Sequence, residues 1–361
     1  MKTPRRQFLK GAAIATVLPA VHTASRSSLA AADKKIIAGQ IGTRHAHASG
    51  KVGTMRRFSD LYNVVGVVEP DKQRRAELEK SSAYQGVTWM DEEQLLNRPG
   101  LQLVCVETEV KELLDTAQRC IDANLHIHLD KPAGESYPKF SRLVSEARRR
   151  KRVIQMGYMF RYNPGFEFLF QAIQKGWLGQ IFEAHTVISK TVGDSTRAQL
   201  ERYKGGTMFE LGCHVIDSLI HALGVPDKVT SFSRNTRPEK DTLSDNQLAV
   251  FEYPRATATV RSALVEVDGG RRRQMVVCGD EGTIALRPLE PPTLSLTLAK
   301  PQGTFSKGTH AVELPPRGGR YDGDFKDLAR VLRGEKELEF SYDHDLAVQR
   351  AVLQASGLSL N

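Results

Sequence analysis

The 361-residue chain is long enough for two domains, each with its own core, and its 40% hydrophobic and 26% charged residues exclude a low-complexity chain. A formal charge of +9 would suit a nucleic-acid partner, but Lys2, Arg5, Arg6, Lys10 and Arg26 all precede the first acid, Asp33, and the balance left after them argues for no such partner. Cys105, Cys120, Cys213 and Cys278 lack the paired spacing of a metal site, although an oxidising compartment would allow a disulfide.

In chain order, Arg5-Arg6-Gln7-Phe8-Leu9-Lys10 is a twin-arginine pair with hydrophobic and basic followers, and residues 11–21 are mildly apolar but too short to span a bilayer. Ala30-Ala31-Ala32 supplies small residues for cleavage, so residues 1–32 are read as an export signal, removed once the folded protein reaches the periplasm or another extracytoplasmic space.

Strand and helix then alternate. Strands are expected at 36–41, 62–68, 101–106 and 125–130, and helices from about 48, over 72–80, 111–124 and 138–150. This order implies right-handed crossovers and a doubly wound parallel sheet, a Rossmann-type α/β domain over residues 33–155. Gly42, after the first strand, permits the tight turn that brings helix amides onto a pyrophosphate. Glu69, closing the second strand, is placed to hydrogen-bond a ribose hydroxyl and favours NAD, with NADP as the variant. Arg44 and His47 stand where a dinucleotide fingerprint wants its second and third glycines; Arg44 either pairs with the pyrophosphate or blocks the approach of the backbone. Lys131 follows the strand at 125–130, at the carboxyl end where open α/β sheets bind ligands, and Pro132 stops that strand. His126, His128 and Asp130 alternate onto one strand face without further ligands, so no metal is expected.

Beyond 156 the pattern turns to strands, at 181–190, 229–234, 248–253, 256–266, 274–278 and 283–286, with closing helices at 325–332 and 345–358. Together with Gly42, Glu69-Pro70 and Asp130-Lys131-Pro132, the segments Gly157-Tyr158-Met159-Phe160-Arg161-Tyr162-Asn163-Pro164, Gly176-x-x-Gly179 and Gly205-Gly206-Thr207-Met208-Phe209-Glu210-Leu211-Gly212-Cys213-His214 carry a resemblance. In these the chain resembles the Gfo/Idh/MocA oxidoreductases, named for glucose-fructose oxidoreductase and inositol dehydrogenase.

The resemblance implies an α+β second domain with a large, mostly antiparallel sheet over residues 156–340, homo-oligomers through its open face, and a helix at 341–361 packing back on the first domain. It implies a catalytic set of Lys131, Glu210 and His214, and the four-residue spacing of the last two puts them on one helix face. It implies cofactor contacts from Gly42, Thr43, Arg44, His45, Glu69, Glu107, Lys131 and Arg161, and substrate contacts from Tyr162, Asn163, Tyr203, Lys204 and Asp217. His221 is expected to be structural. The activity implied is hydride transfer between a tightly bound nicotinamide and a hydroxyl of a sugar, cyclitol or glycoside. Two rivals are transient oxidation that cleaves a glycosidic bond, and a carbohydrate-binding protein with a degenerate cofactor site.

Overall fold

The expected alternation is built by short apolar runs that are buried on both faces. The computed structural model describes residues 34–316 and 318–361; the export signal read at residues 1–32 lies outside the described residues. Six strands, β1 (Ile36–Ile41), β2 (Tyr62–Val68), β3 (Trp89–Met90), β4 (Leu103–Val106), β5 (His126–Leu129) and β6 (Ile154–Met156), pair in parallel in the order β3-β2-β1-β4-β5-β6. Their crossovers are α1 (Ala48–Arg57), α2 (Lys72–Leu78), α3 (Glu92–Leu96), α4 (Val110–Asp122) and α5 (Tyr137–Arg150). Strand order reverses between β1 and β4, and that switch point opens a crevice at their carboxyl ends. β3 and β6 are too short to show a period of two, which is why their residues do not read as strands.

The second domain follows α6 (Pro164–Gln174), whose Asn163 cap and leading proline start a helix absent from the sequence reading. An eight-stranded sheet is built from β7 (Ile181–Ser189), β8 (Lys228–Arg234), β9 (Asn246–Glu252), β10 (Thr257–Ala263), β11 (Gln274–Gly279), β12 (Gly282–Leu289), β13 (Pro292–Leu298) and β14 (Gly308–Val312). Only β7 and β10 pair in parallel, so the sheet is mostly antiparallel, as expected. Helix α7 (Asp194–Leu200), a π-helical turn at Met208–Gly212 and α8 (Cys213–Leu223) form one covering layer.

The chain then returns to the first sheet. Helix α9 (Asp322–Leu332) packs Phe325, Leu328 and Ala329 among Ile36, Ala38, Met55, Tyr62 and Leu103, so a helix from beyond residue 156 completes the first domain's core. Helix α10 (Tyr342–Ala355) lies against α8 and β8 on one side and α5 on the other, and joins the two domains into one core. The four cysteines are free thiols, three of them buried.

Candidate active site

The crevice begins at Gly42. Its φ of +88° is open to glycine, and a Cβ there would stand 2.6 Å from the Thr108 backbone nitrogen, so only glycine lets the ends of β1 and β4 meet. Beside it a cavity of about 440 Å³ runs along the carboxyl ends of β1, β2 and β4, lined by Gly42, Arg44, Val68, Glu69, Thr108 and Glu109. Arg44, in the wall of this cavity, pairs with Asp71, 3.0 Å away. Thr43 donates its hydroxyl to Glu69, whose carboxylate also accepts from the Asp71 amide at 3.1 Å and faces Arg74 at 3.5 Å. The glycine turn, the cavity and the acid at the end of β2 fit a dinucleotide, with the adenosine end at Glu69.

Lys131, Glu210 and His214 come together where the domains face each other, but not as their spacing implies. The π-helical turn displaces Glu210 from the helix register, and its main-chain carbonyl accepts from Lys131 Nζ at 2.7 Å. The Glu210 carboxylate pairs instead with Lys190 Nζ, at 3.1 and 3.2 Å. Burial pushes this carboxyl up, but Lys131 and Lys190 outweigh it and hold the group below its ordinary value. His214 is buried among Tyr158, Phe160 and His47, with ring centroids 5.9–6.1 Å away, and its Nδ1 has no hydrogen-bond partner. Burial, then the Lys131 charge and His47, hold its pKa well below 6.5, so it is a neutral imidazole at neutral pH. A neutral imidazole can take a proton from a hydroxyl group.

Beneath this set lies a charged cluster that the sequence reading did not assemble. His45 and His47, two residues apart in the turn after Gly42, both direct Nδ1 at Asp130, at 2.9 and 3.2 Å from Oδ2. Lys51, fully buried on α1, stands 3.3 Å from the same oxygen and 3.6 Å from Glu107. Burial pushes Asp130 up, but His45, Lys51 and His47 hold it well below the carboxylate range. Burial and then Asp130 push Glu107 well above it. Burial lowers His47 to about 4, against the pull of Asp130.

Two family models match the chain. The model described as the oxidoreductase family, NAD-binding Rossmann fold, covers residues 37–158, and that described as the GFO/IDH/MocA C-terminal domain covers residues 166–285. The chain belongs to the GFO/IDH/MocA oxidoreductase family. Its similarity to scyllo-inositol 2-dehydrogenase (NADP(+)) IolW of Bacillus subtilis is 24% identity over 51% of each chain. With inositol 2-dehydrogenase of Salmonella typhimurium it is 24% over 74% of this chain and 76% of the other. The first three curated relatives are matched over only 51–59% of their own length. Among solved structures, the fold is similar to aldose-aldose oxidoreductase from Caulobacter crescentus, with TM-score 0.75 and 17% identity, covering 90% of this chain and 98% of the other. It is equally similar to UDP-N-acetylglucosamine 3-dehydrogenase GnnA from Acidithiobacillus ferrooxidans, with TM-score 0.75, 16% identity and coverage of 91% and 98%.

In this family member several expected contacts have other tasks. The Glu107 carboxylate lies wholly buried beneath the Gly42 turn, 3.6 Å from Lys51, and only its main chain borders the turn. Arg161 is also buried, and its guanidinium is taken up by Asp217 at 2.7 Å and Asp345 at 2.5 Å, with His344 on Asp217 at 3.0 Å. The two side chains from which a cofactor and a substrate contact are expected thus form a buried ionic tie. Asn163 caps α6 and donates to the Leu289 carbonyl, and Tyr162 donates to Asp327. The Asn163 side chain is thus used to start the second domain, and the Tyr162 hydroxyl ties the turn after β6 to α9. Tyr203 and Lys204 lie in a loop against the first domain, where the Lys204 amide donates to Glu135 at 3.0 Å. His221 packs on Phe170 and Phe340, 4.3 and 4.8 Å away. Lys190, Lys51 and His47 are the functional-site side chains not assigned from sequence. His47 has the clearest signal, a histidine in place of a helix-opening glycine.

Proposed function

We propose that the protein is an exported NAD(P)-dependent oxidoreductase that moves hydride between a tightly held nicotinamide and a hydroxyl of a sugar, cyclitol or glycoside. The observation that carries this is the grouping of Lys131, held on the Glu210 carbonyl at the mouth of β5, with His214, whose imidazole burial and the Lys131 charge keep neutral. The bound nicotinamide supplies the hydride acceptor or donor. His214 takes the hydroxyl proton as hydride leaves, and Lys131, anchored on the Glu210 carbonyl, hydrogen-bonds the same oxygen and polarises the carbonyl that forms. The Glu210–Lys190 pair holds the π-helical turn against the end of β7 and so positions both groups. Support for the substrate class comes from the inositol dehydrogenase and aldose oxidoreductase relatives, and support for export from Arg5-Arg6 and the small residues before Asp33.

Mass spectrometry of the nucleotide released on denaturing the exported protein is the first test. Stoichiometric NAD or NADP is expected; an empty site that also refuses added nucleotide overturns the reading and leaves a binding protein. His214→Ala should lower kcat by about 10²–10⁴-fold with nucleotide affinity unchanged. Because the folded pKa of His214 lies well below 6.5, kcat/KM for oxidation should show no acid limb at the ordinary histidine value. A limb near 6.5 that persists in His214→Ala would assign the base elsewhere.

A further inference from the structure

The turn after Gly42 presents two imidazoles and a carboxylate to one point. The nearest ligand atoms of His45, His47 and Asp130 all lie within 4.8 Å of one another, and their side chains are 9%, 15% and 0% exposed. His45 shows what belongs between them. Its Nε2 is 3.1 Å from the Lys131 main-chain oxygen, which can only accept, so Nε2 carries the hydrogen. The ring's other nitrogen, Nδ1, lies 2.9 Å from an Asp130 oxygen and also accepts from the His47 amide at 3.4 Å. A cation bound at this point would be reached by ligand atoms of all three side chains.

The surroundings favour the metal. A ligating histidine typically donates its other N–H to a main-chain carbonyl, as His45 does to Lys131. A ligating carboxylate is itself held by a hydrogen bond, as Asp130 Oδ1 is by the Lys131 amide at 2.7 Å. The Nδ1-to-oxygen separations of 2.9 and 3.2 Å come close to the edge of roughly 3.3 Å in a tetrahedron with bonds near 2.0–2.1 Å. Lys51 also stands 3.3 Å from the Asp130 oxygen and 3.6 Å from Glu107, so a bound ion would share Asp130 with its ammonium.

We propose that His45, His47 and Asp130 form a divalent-metal site, with Zn²⁺ the best match to two imidazoles and one carboxylate. Three protein ligands leave a position for water or a substrate oxygen, the arrangement of catalytic rather than structural zinc. The site adjoins His214, whose ring lies 6.1 Å from His47, so a metal there would act on the same substrate as the proposed base. Metal binding itself does not depend on the redox reading, and either can fail without the other.

The test is calorimetric titration of Zn²⁺, and of Co²⁺ with its visible absorption, into the chelator-treated mature protein with no nucleotide present. One ion per chain is expected. Both His45→Ala and His47→Asn should weaken it by more than the roughly 10- to 100-fold that loss of an outer-shell partner costs. Asn at 47 keeps a donor for Asp130, so a merely hydrogen-bonding histidine would tolerate that change in melting temperature, while a metal ligand would not in affinity. No binding to the wild type, or stoichiometric binding that both variants retain, overturns the proposal. Should a variant fail to fold, ¹¹³Cd NMR of the wild type decides: a shift typical of nitrogen and oxygen ligands, with one ion per chain, supports the site, and a free-cadmium signal overturns it.

Discussion

Asp324 shows how one buried carboxyl can govern the stability of the molecule against pH. It sits wholly buried on α9 with Oδ1 lacking a hydrogen-bond partner, and burial raises its pKa from 3.8 to about 7 in spite of Lys51 and Arg161. The folded chain therefore holds a proton that the unfolded chain has lost between pH 4 and 7, and stability falls as pH rises through that window. Three pKa units correspond to about 4 kcal/mol as an upper bound. Asp324→Asn removes the titration while keeping the shape, so it should flatten the profile and raise the urea midpoint at pH 8 more than at pH 5. Equal gains at both pH values would place the titrating group elsewhere. The neighbouring turn follows the same physics: Thr43 and Arg74 engage Glu69, so an acid that would otherwise be a bare charge at the crevice is held ready for a ribose hydroxyl.

At the scale of elements, the segment that carries Lys131 is held by a helix more than two hundred residues away in sequence. Gln349 on α10 accepts from the Ala133 amide at 3.3 Å and donates to the Gly134 carbonyl at 2.6 Å, all within the buried interior. Gln349→Ala would leave two buried main-chain groups unpaired, and should cost about 2 kcal/mol in chemical denaturation. The loop after Lys131 should also exchange its amides faster and kcat should fall, because Lys131 loses its support. Unchanged exchange at Ala133 would show that the cross-strand pairing of β5 alone holds the segment. The π-helical turn is the second such element. It offers Lys131 the Glu210 carbonyl and leaves the Glu210 carboxylate to Lys190.

Across the whole molecule, the two sheets are tied through Arg161. It lies just after β6 of the first sheet, and its partners Asp217 on α8 and Asp345 on α10 belong to the layer over the second. Burial pushes Asp217 up, but Arg161 and then His344 outweigh it and hold its pKa at about 2. Removing the guanidinium alone leaves two buried carboxyls facing each other. Arg161→Leu should therefore destabilise the chain by about 3–5 kcal/mol, and adding Asp217→Asn and Asp345→Asn should recover part of that loss. A triple variant no more stable than Arg161→Leu would mean that packing, not charge, is what the arginine supplies.

The sequence by itself determined the parallel sheet, the mostly antiparallel second sheet and the lysine at the mouth of β5, because strand periodicity, turn glycines and motif order are local properties. The same locality explains what it left out. β3 and β6 are too short to show a period of two, and α9 joins the first core by packing on strands far behind it in the chain. Gly42 was legible because a backbone constraint shows in residue type, whereas Arg161 and Asp217 were legible only as polar residues. Their partners, like those of Glu210, His45 and His47, are contacts over long sequence separations. Only the tertiary structure decided them, since it alone sets which buried charges must face one another and so which side chains are left to act on a ligand.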